Sequence, residues 1–354
     1  MTTLRRMKAL LLPKLALFDA AKRGDTELLE AMLQRGGLDI EERDEYHETA
    51  LHWACYRGHP EVVRMLLAAG ANPNSLAQRN VTPLLLNAEH GSVEVFRALT
   101  SAVPSSSSSS PSTTAVAAVD LLARDQEGRT CLHRASELGH LELCREILRA
   151  TTSPPSSEQQ QQQQRKTSPL VNAATNRGNT SLVMAAASGN VEVVNLLLLN
   201  GANTFIARSN GWTALHRAVE GNHINVVRML LEWGANVHSP NSVGTTPLHL
   251  AAQEASEDDN AVLELLLSYG ARPWSRQNGG KLPIHLAEND VTRGILNEAG
   301  GKPPQLPTLV KLCVRTLLIH QRYDDLVQLS GEGLLENIGI RDPLRPFCPP
   351  IPVV

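Results

Sequence analysis

Apolar residues recur along this chain in a fixed pattern of four: Val62, Val63, Leu66 and Leu67, then Val193, Val194, Leu197 and Leu198, then Val226, Val227, Leu230 and Leu231. Positions i, i+1, i+4 and i+5 fall on one side of a helix, so each set predicts a helix buried along a single stripe. A shorter apolar run stands just before each. In the first of these, Leu51, Ala54 and Cys55 face inward, Thr49 supplies a capping hydroxyl, and Gly58 supplies the left-handed position that ends the helix. Gly70-Ala71-Asn72, Gly201-Ala202-Asn203 and Gly234-Ala235-Asn236 then turn the chain out of each second helix.

The short run carries a phrase that recurs seven times: Thr49-Ala50-Leu51-His52, Thr82-Pro83-Leu84-Leu85, Thr130-Cys131-Leu132-His133, Thr180-Ser181-Leu182-Val183, Thr213-Ala214-Leu215-His216, Thr246-Pro247-Leu248-His249 and Leu282-Pro283-Ile284-His285. The separations are 33, 48, 50, 33, 33 and 36 residues. One helix pair of this length buries too little apolar surface to offset its conformational entropy, so neighbours must complete each other's cores. A 33-residue period carrying Thr-Pro-Leu-His resembles the ankyrin-repeat family. That resemblance implies an all-α solenoid with short hairpin loops over residues 15–300, in about eight repeats, after an N-terminal extension of residues 1–14. Residues 15–44 fit a degenerate capping repeat, with Phe18, Ala20, Ala21, Leu28, Leu29 and Leu33 facing inward and Lys22, Arg23, Glu27 and Glu30 facing water.

The two long separations hold visible surplus. Ser105 to Ser110 with Pro104 and Pro111 fill one, and Pro154, Pro155 and Gln159 to Gln164 fill the other. Neither composition offers side chains to bury, so disordered insertions are expected near 101–118 and 151–169. The smaller surplus before Leu282 coincides with Glu254, Glu257, Asp258 and Asp259, an acidic loop expected to be solvated.

The ankyrin resemblance also implies where a partner would be held, since hairpin residues and first helices line a concave surface in that family. Those slots here hold Tyr46, Glu48, Tyr56, Arg57, Arg79, Glu89, His90, Arg129, Arg177, Asn210, Trp212 and Glu220. Tyrosine, tryptophan and arginine dominate interface energetics, which puts Tyr46, Tyr56, Trp212 and the arginines first. Trp212, next to Thr213, equally suits packing against its own repeat.

Composition narrows the functions. Aromatic residues are 3% of the chain and the formal charge is −3, which provides neither a stacking platform for single strands nor a basic footprint for duplexes. Binding of nucleic acid is therefore not expected. Five cysteines without a CxxC pair argue against a disulfide framework or zinc finger and for a reducing, cytoplasmic or nuclear location. No run of about 18 apolar residues is present to span a membrane. The basic, apolar start is broken by Pro13 and Lys14, which favours an N-terminal capping helix over a signal or transit sequence.

His52, His133, His216, His249 and His285 recur one repeat apart, so they cannot converge on a metal; a hydrogen bond joining Thr, His and adjacent backbone is the expected role. His59, His140 and His223 invite the same structural interpretation. No phosphate loop, HExxH helix or G-x-S-x-G elbow occurs. No catalytic residue, metal site or cofactor is expected, and the chain is not expected to be an enzyme.

After Gly300-Gly301, Pro303, Pro304 and Pro307 mark a boundary. Thr308 then caps a helix on which Leu309, Leu312, Cys313 and Leu317 share one side. Thr308, Leu309, Cys313 and Leu317 match the first helix of a SOCS box: a small residue, Leu, three spacers, Cys, three spacers and an aliphatic. Residues 305–350 therefore resemble the ankyrin-repeat and SOCS-box family, which implies binding of Elongin C, bridging by Elongin B/C to a cullin scaffold, and recognition of a protein substrate by the repeats. The Leu-Pro-Leu-Pro element that selects a cullin is absent; Pro343, Pro346, Pro349, Pro350 and Pro352 stand in another pattern. The alternative is an ankyrin scaffold without a ligase role, its C-terminal helix closing the solenoid.

Overall fold

The computed structural model describes residues 13–101, 118–151 and 168–300. The expected insertions and the segment 305–350, with Thr308, Leu309, Leu312, Cys313 and Leu317, lie largely or wholly outside these residues. Among the described residues every regular element is helical. The chain divides into two compact units, residues 1–209 and 210–354.

Among its described residues the first unit contains five helix pairs: α1 (Pro13–Arg23) with α2 (Thr26–Arg35), α3 (Ala50–Arg57) with α4 (Pro60–Ala68), α5 (Pro83–His90) with α6 (Val93–Ser101), α7 (Cys131–Leu138) with α8 (Leu141–Thr151), and α9 (Ser181–Ser188) with α10 (Val191–Leu199). First helices pack on first helices and second on second, so each repeat finishes its neighbour's core. The predicted stripes are the buried ones: Leu51, Ala54 and Cys55 in α3, Val62, Val63, Leu66 and Leu67 in α4, and Val193, Val194, Leu197 and Leu198 in α10. Burying a leucine or valine contributes roughly 1.5–3 kcal/mol, and many such side chains offset the ordering of these short helices.

In the capping repeat, Leu17, Leu29 and Met32 are buried, whereas Leu28 and Leu33, expected inward, are only half-buried. Among the described helices α2 packs chiefly on α1 and α4, and its buried stripe is narrower than those of the later second helices.

Between repeats the chain makes tight turns, each stitched to the one before by a backbone hydrogen bond. The Gln78 N–H donates to the Tyr46 carbonyl (3.2 Å), Gln126 to Arg79 (2.8 Å), Asn176 to Glu127 (3.0 Å) and Ser209 to Arg177 (3.1 Å). Gly178 sits at one turn tip with φ +79°, and a Cβ there would lie 3.0 Å from the Cα of Arg208 and 3.0 Å from the N of Ser209. Those are backbone atoms and cannot swing aside. Gly178→Ala is expected to lower unfolding stability by roughly 1–3 kcal/mol, measured by urea denaturation; a loss within error of zero would show that the tip relaxes freely.

The recurrent histidine is the second stitch. His52 Nδ1 accepts the Thr49 N–H (3.1 Å) and lies 2.9 Å from the Thr49 hydroxyl, while its Nε2 lies 3.1 Å from the Val81 carbonyl of the next repeat. His133 repeats this with Thr130 (2.8 Å to the hydroxyl) and with the carbonyls of Ala173 and Asn179 (3.0 Å each). Leu85 and Val183 stand in the histidine place of two other phrases, and there Thr82 and Thr180 simply cap their helices through the N–H of the residue three on (3.3 Å each). His59 and His140 bridge backwards, with Nε2 3.3 Å from the Lys22 carbonyl and 3.1 Å from the Glu89 carbonyl.

The second unit contains α11 (Ala214–Glu220) with α12 (Ile224–Glu232), α13 (Pro247–Glu254) with α14 (Ala261–Ser268), and a 3-10 turn (Pro283–His285) followed by α15 (Asp290–Gly300). His216 and His249 bridge forward to the carbonyls of Thr245 (3.2 Å) and Lys281 (3.3 Å), and Ser242 and Asn278 stitch their turns to Asn210 and Val243. The last phrase builds only a 3-10 turn. Leu282 stands where the other phrases have threonine, so the capping hydroxyl is missing. His285 still accepts the Leu282 N–H (3.1 Å), but its ring is exposed rather than sealed between repeats.

Candidate binding surface

Along a first helix whose residues at phrase positions three, six and seven are buried, positions five, eight and nine point away from the core, toward the side of the preceding turn. In α3 these are Trp53, Tyr56 and Arg57. Trp53 Nε1 donates to Asp44 Oδ2 of the turn (2.8 Å), which locks helix and turn into one face. Asp44 Oδ1 also accepts the N–H groups of Tyr46 and Glu48 (2.9 Å each), shaping the turn itself. Tyr56 meets the Trp53 ring edge-on at 6.2 Å, and the Arg57 guanidinium lies 5.7 Å from the Tyr56 ring.

Lys22, expected to face water, instead places its ammonium 3.8 Å from the centre of the Trp53 ring. A long aliphatic stem lets the charge travel to the ring face, where the quadrupole attracts it. Tyr46 is 54% exposed at the turn tip. Glu48 is half-buried; burial and then the charge of Asp44 push its carboxyl above the ordinary value, with Lys22 pulling the other way.

A second constellation joins the third and fourth repeats. Asp125, nearly sealed, accepts the turn N–H groups of Glu127 (2.9 Å) and Arg129 (2.8 Å) through Oδ1, and Arg129 Nε (2.8 Å) and an Arg134 terminal nitrogen (3.0 Å) through Oδ2. Arg134 also pairs with Glu89 of the preceding repeat. Burial lowers the Arg134 pKa from its ordinary value, because the charge is held largely out of water. Glu89 and Arg129 were predicted as contact residues; the structure ties both into this network. His90, Arg57 and Arg79 are exposed, Arg79 at a left-handed turn position (φ 60°) with its carbonyl taken by Gln126. Arg177 is exposed at its tip, where its carbonyl accepts the Ser209 N–H (3.1 Å) and hydroxyl (3.2 Å).

In the second unit, Asn210 and Glu220 are exposed and Trp212 is half-buried. The Trp212 ring lies 5.9 Å from the His216 ring and 5.9 Å from the Arg217 guanidinium, and Arg217 pairs with Glu220. Trp212 thus packs on its own repeat while keeping one side open.

Sequence reasoning missed Trp53, Asp125 and Arg134. The signal for Trp53 and Arg134 was their place directly after the phrase, and for Asp125 its place opening a turn, but their joint role needs partners 9 and 45 residues apart. Among the described residues no cluster of histidine, cysteine and carboxylate has metal-binding geometry, and no helix is long and apolar enough to cross a membrane. Burial pushes the Cys131 and Cys144 thiols up to about 12 and raises Cys55 as well, so none of the three is a ready nucleophile. What the face offers is aromatic rings, guanidinium groups and carboxylates for contact.

Comparison with known proteins points the same way. The family described as ankyrin repeats matches residues 17–107, 113–207, 158–241 and 182–277. The crystal structure of the ankyrin repeat domain of Bcl-3, a member of the IκB protein family, is similar with a TM-score of 0.53 at 27% identity, over 71% of this chain and 96% of that one. The B-cell lymphoma 3 protein homolog of Mus musculus is 29% identical over 49% of this chain and 33% of its own length. The E3 ubiquitin-protein ligase KEG of Arabidopsis thaliana is 32% identical over 34% of this chain and 7% of its own. The chain therefore spans well under two thirds of these curated relatives.

Proposed function

Because the chain belongs to the ankyrin-repeat family and is a protein-interaction module, we propose that it is the substrate-recognition subunit of an Elongin B/C cullin-RING ubiquitin ligase. The repeats hold a partner protein on the face built from turns and first helices, and residues 305–350 recruit Elongin C. The observation that carries this reading is the four-place sequence match of Thr308, Leu309, Cys313 and Leu317, with Leu312 at helical spacing from Leu309, shortly after the last repeat phrase. The likeness to a protein named as an E3 ubiquitin ligase supports it. In this role the chain contributes no active site; ubiquitin is transferred by other subunits, and neither cofactor nor metal is required.

A capture experiment with purified Elongin B/C tests the reading. Wild type is expected to retain Elongin C, and the Leu309→Ala, Cys313→Ala double variant to lose at least about tenfold in affinity as two buried contacts disappear. If wild type captures none, the ligase role fails and the repeats stand as an adaptor. That second reading is favoured by the likeness to Bcl-3, which covers nearly all of the compared ankyrin domain. The adaptor would hold its partner on the same face.

A further inference from the structure

Two aromatic rings on the face of α3 already carry cations from the chain itself. Lys22 lies over Trp53 at 3.8 Å and Arg57 beside Tyr56 at 5.7 Å. The acids around them are unevenly occupied. Glu41 is committed to the Asn72 N–H (2.8 Å) and the Ser75 hydroxyl (2.9 Å), and Asp44 to its own turn and to Trp53. Arg43, the nearest other cation on the turn, directs its guanidinium to the carbonyls of His47 (3.3 Å) and Leu76 (2.5 Å). Glu48, half-buried beside Asp44, and Glu45, exposed at the tip, remain, with Lys22 the cation that acts on Glu48.

We propose that this corner of the first unit receives a basic segment of the partner protein, a lysine or arginine side chain of that segment replacing Lys22 over the Trp53 ring with its charge met by Glu48 and Glu45. Lys22 displays the chemistry of the site: a ring face oriented by Asp44, an edge-on tyrosine beside it, and the half-buried Glu48 carboxylate within electrostatic reach of the cation. A cation is favoured twice over, by the ring quadrupole and by the half-buried carboxylate, whereas an anion meets Asp44, Glu45 and Glu48 together. Tyr46, open at the tip, supplies apolar area for the flanking residues of the segment. The inference rests on the repeat face being the partner-binding surface and is independent of the ligase role.

The test uses the full chain and a fluorescent peptide alternating lysine and alanine, compared with its glutamate counterpart by anisotropy. The basic peptide is expected to bind and the acidic one not. Glu48→Gln should weaken binding about tenfold, Lys22→Ala should tighten it severalfold by removing the competitor, and neutralising Glu257 and Asp258 in the second unit should leave it unchanged. Thermal melts confirm that each variant is folded. Equal binding of the acidic peptide, absence of binding to the basic one, or insensitivity to both Glu48→Gln and Lys22→Ala overturns the proposal. Elongin capture is unaffected by any of these results, so the two readings fail separately.

Discussion

Acidification from pH 6.5 to about pH 4 is expected to remove about 3 kcal/mol of folding stability for each of His52, His133 and His216, the largest effect foreseen for this chain. Burial lowers all three imidazoles from 6.5 to about 4, outweighing the backbone carbonyls that favour charge. His249 moves in the same direction. The geometry explains why: Nδ1 faces a threonine N–H and must be bare, while Nε2–H donates to the next repeat. A second proton would confront that N–H.

Above pH 6.5 folded and unfolded chains are both neutral at these rings, so nothing is lost. Between 6.5 and about 4 the unfolded chain takes up protons that the folded chain refuses, and stability falls; below about 4 both are charged and the loss is complete. Neighbouring charges temper this only in part, Glu41 opposing and Arg43 reinforcing at His52, Asp125 opposing and Arg124 reinforcing at His133. Urea midpoints measured at neutral pH and near pH 5 read the effect where carboxylates stay mostly ionised. His133→Leu, which copies the residue that Leu85 provides in the same place of its own phrase, should remove one share of the slope. Midpoints that do not move across this range would refute the neutral assignment.

Asp125→Ala is expected to cost about 3–5 kcal/mol, because it leaves the Arg134 charge half-stranded and orphans two turn N–H groups at once. Asp125→Asn should cost less than half of that. Asn241 shows the reason: in its own turn its Oδ1 accepts the N–H groups of Val243 (3.0 Å) and Thr245 (2.9 Å), so an amide can shape the turn while leaving the guanidinium unmatched. Chemical denaturation of the three proteins separates the two contributions. Equal losses in both variants would mean that charge alone matters, and a loss below about 1 kcal/mol for alanine would mean that Arg134 finds other partners.

The helical architecture was legible because its causes are local. Threonine before Leu51, glycine after Arg57 and the paired valines of α4 each act within a few residues, and the structure buries those stripes as read. The weak last phrase was legible too late: Leu282 shows the missing hydroxyl, but only packing reveals that the remainder is a 3-10 turn. His47 and Asn80 take left-handed angles (59° each) at tips where Gly128 and Gly178 sit in later turns, and nothing local announces that a histidine will accept glycine's conformation. The surface was less readable than the core. Lys22 looked solvated because its ring partner is 31 residues away, and Glu89 looked free because its arginine is 45 residues away; Arg129 has its aspartate in the same turn, but the burial of Asp125 that makes the pair matter comes from packing.

The backbone stitches between turns all run one way. Each later tip offers its N–H to the carbonyl of the tip before it, while His52, His133, His216 and His249 each offer Nε2–H to the repeat after. Cutting the chain back from its far end therefore strips an imidazole of its acceptor and a tip carbonyl of its donor, while trimming from the near end strands a tip N–H, the carbonyl that a phrase histidine served and, at His59 or His140, an imidazole that reaches backwards. Erosion from either end thus exposes a seam of unmatched polar groups at the new boundary, and nested truncations should lose cooperativity whichever side they start from.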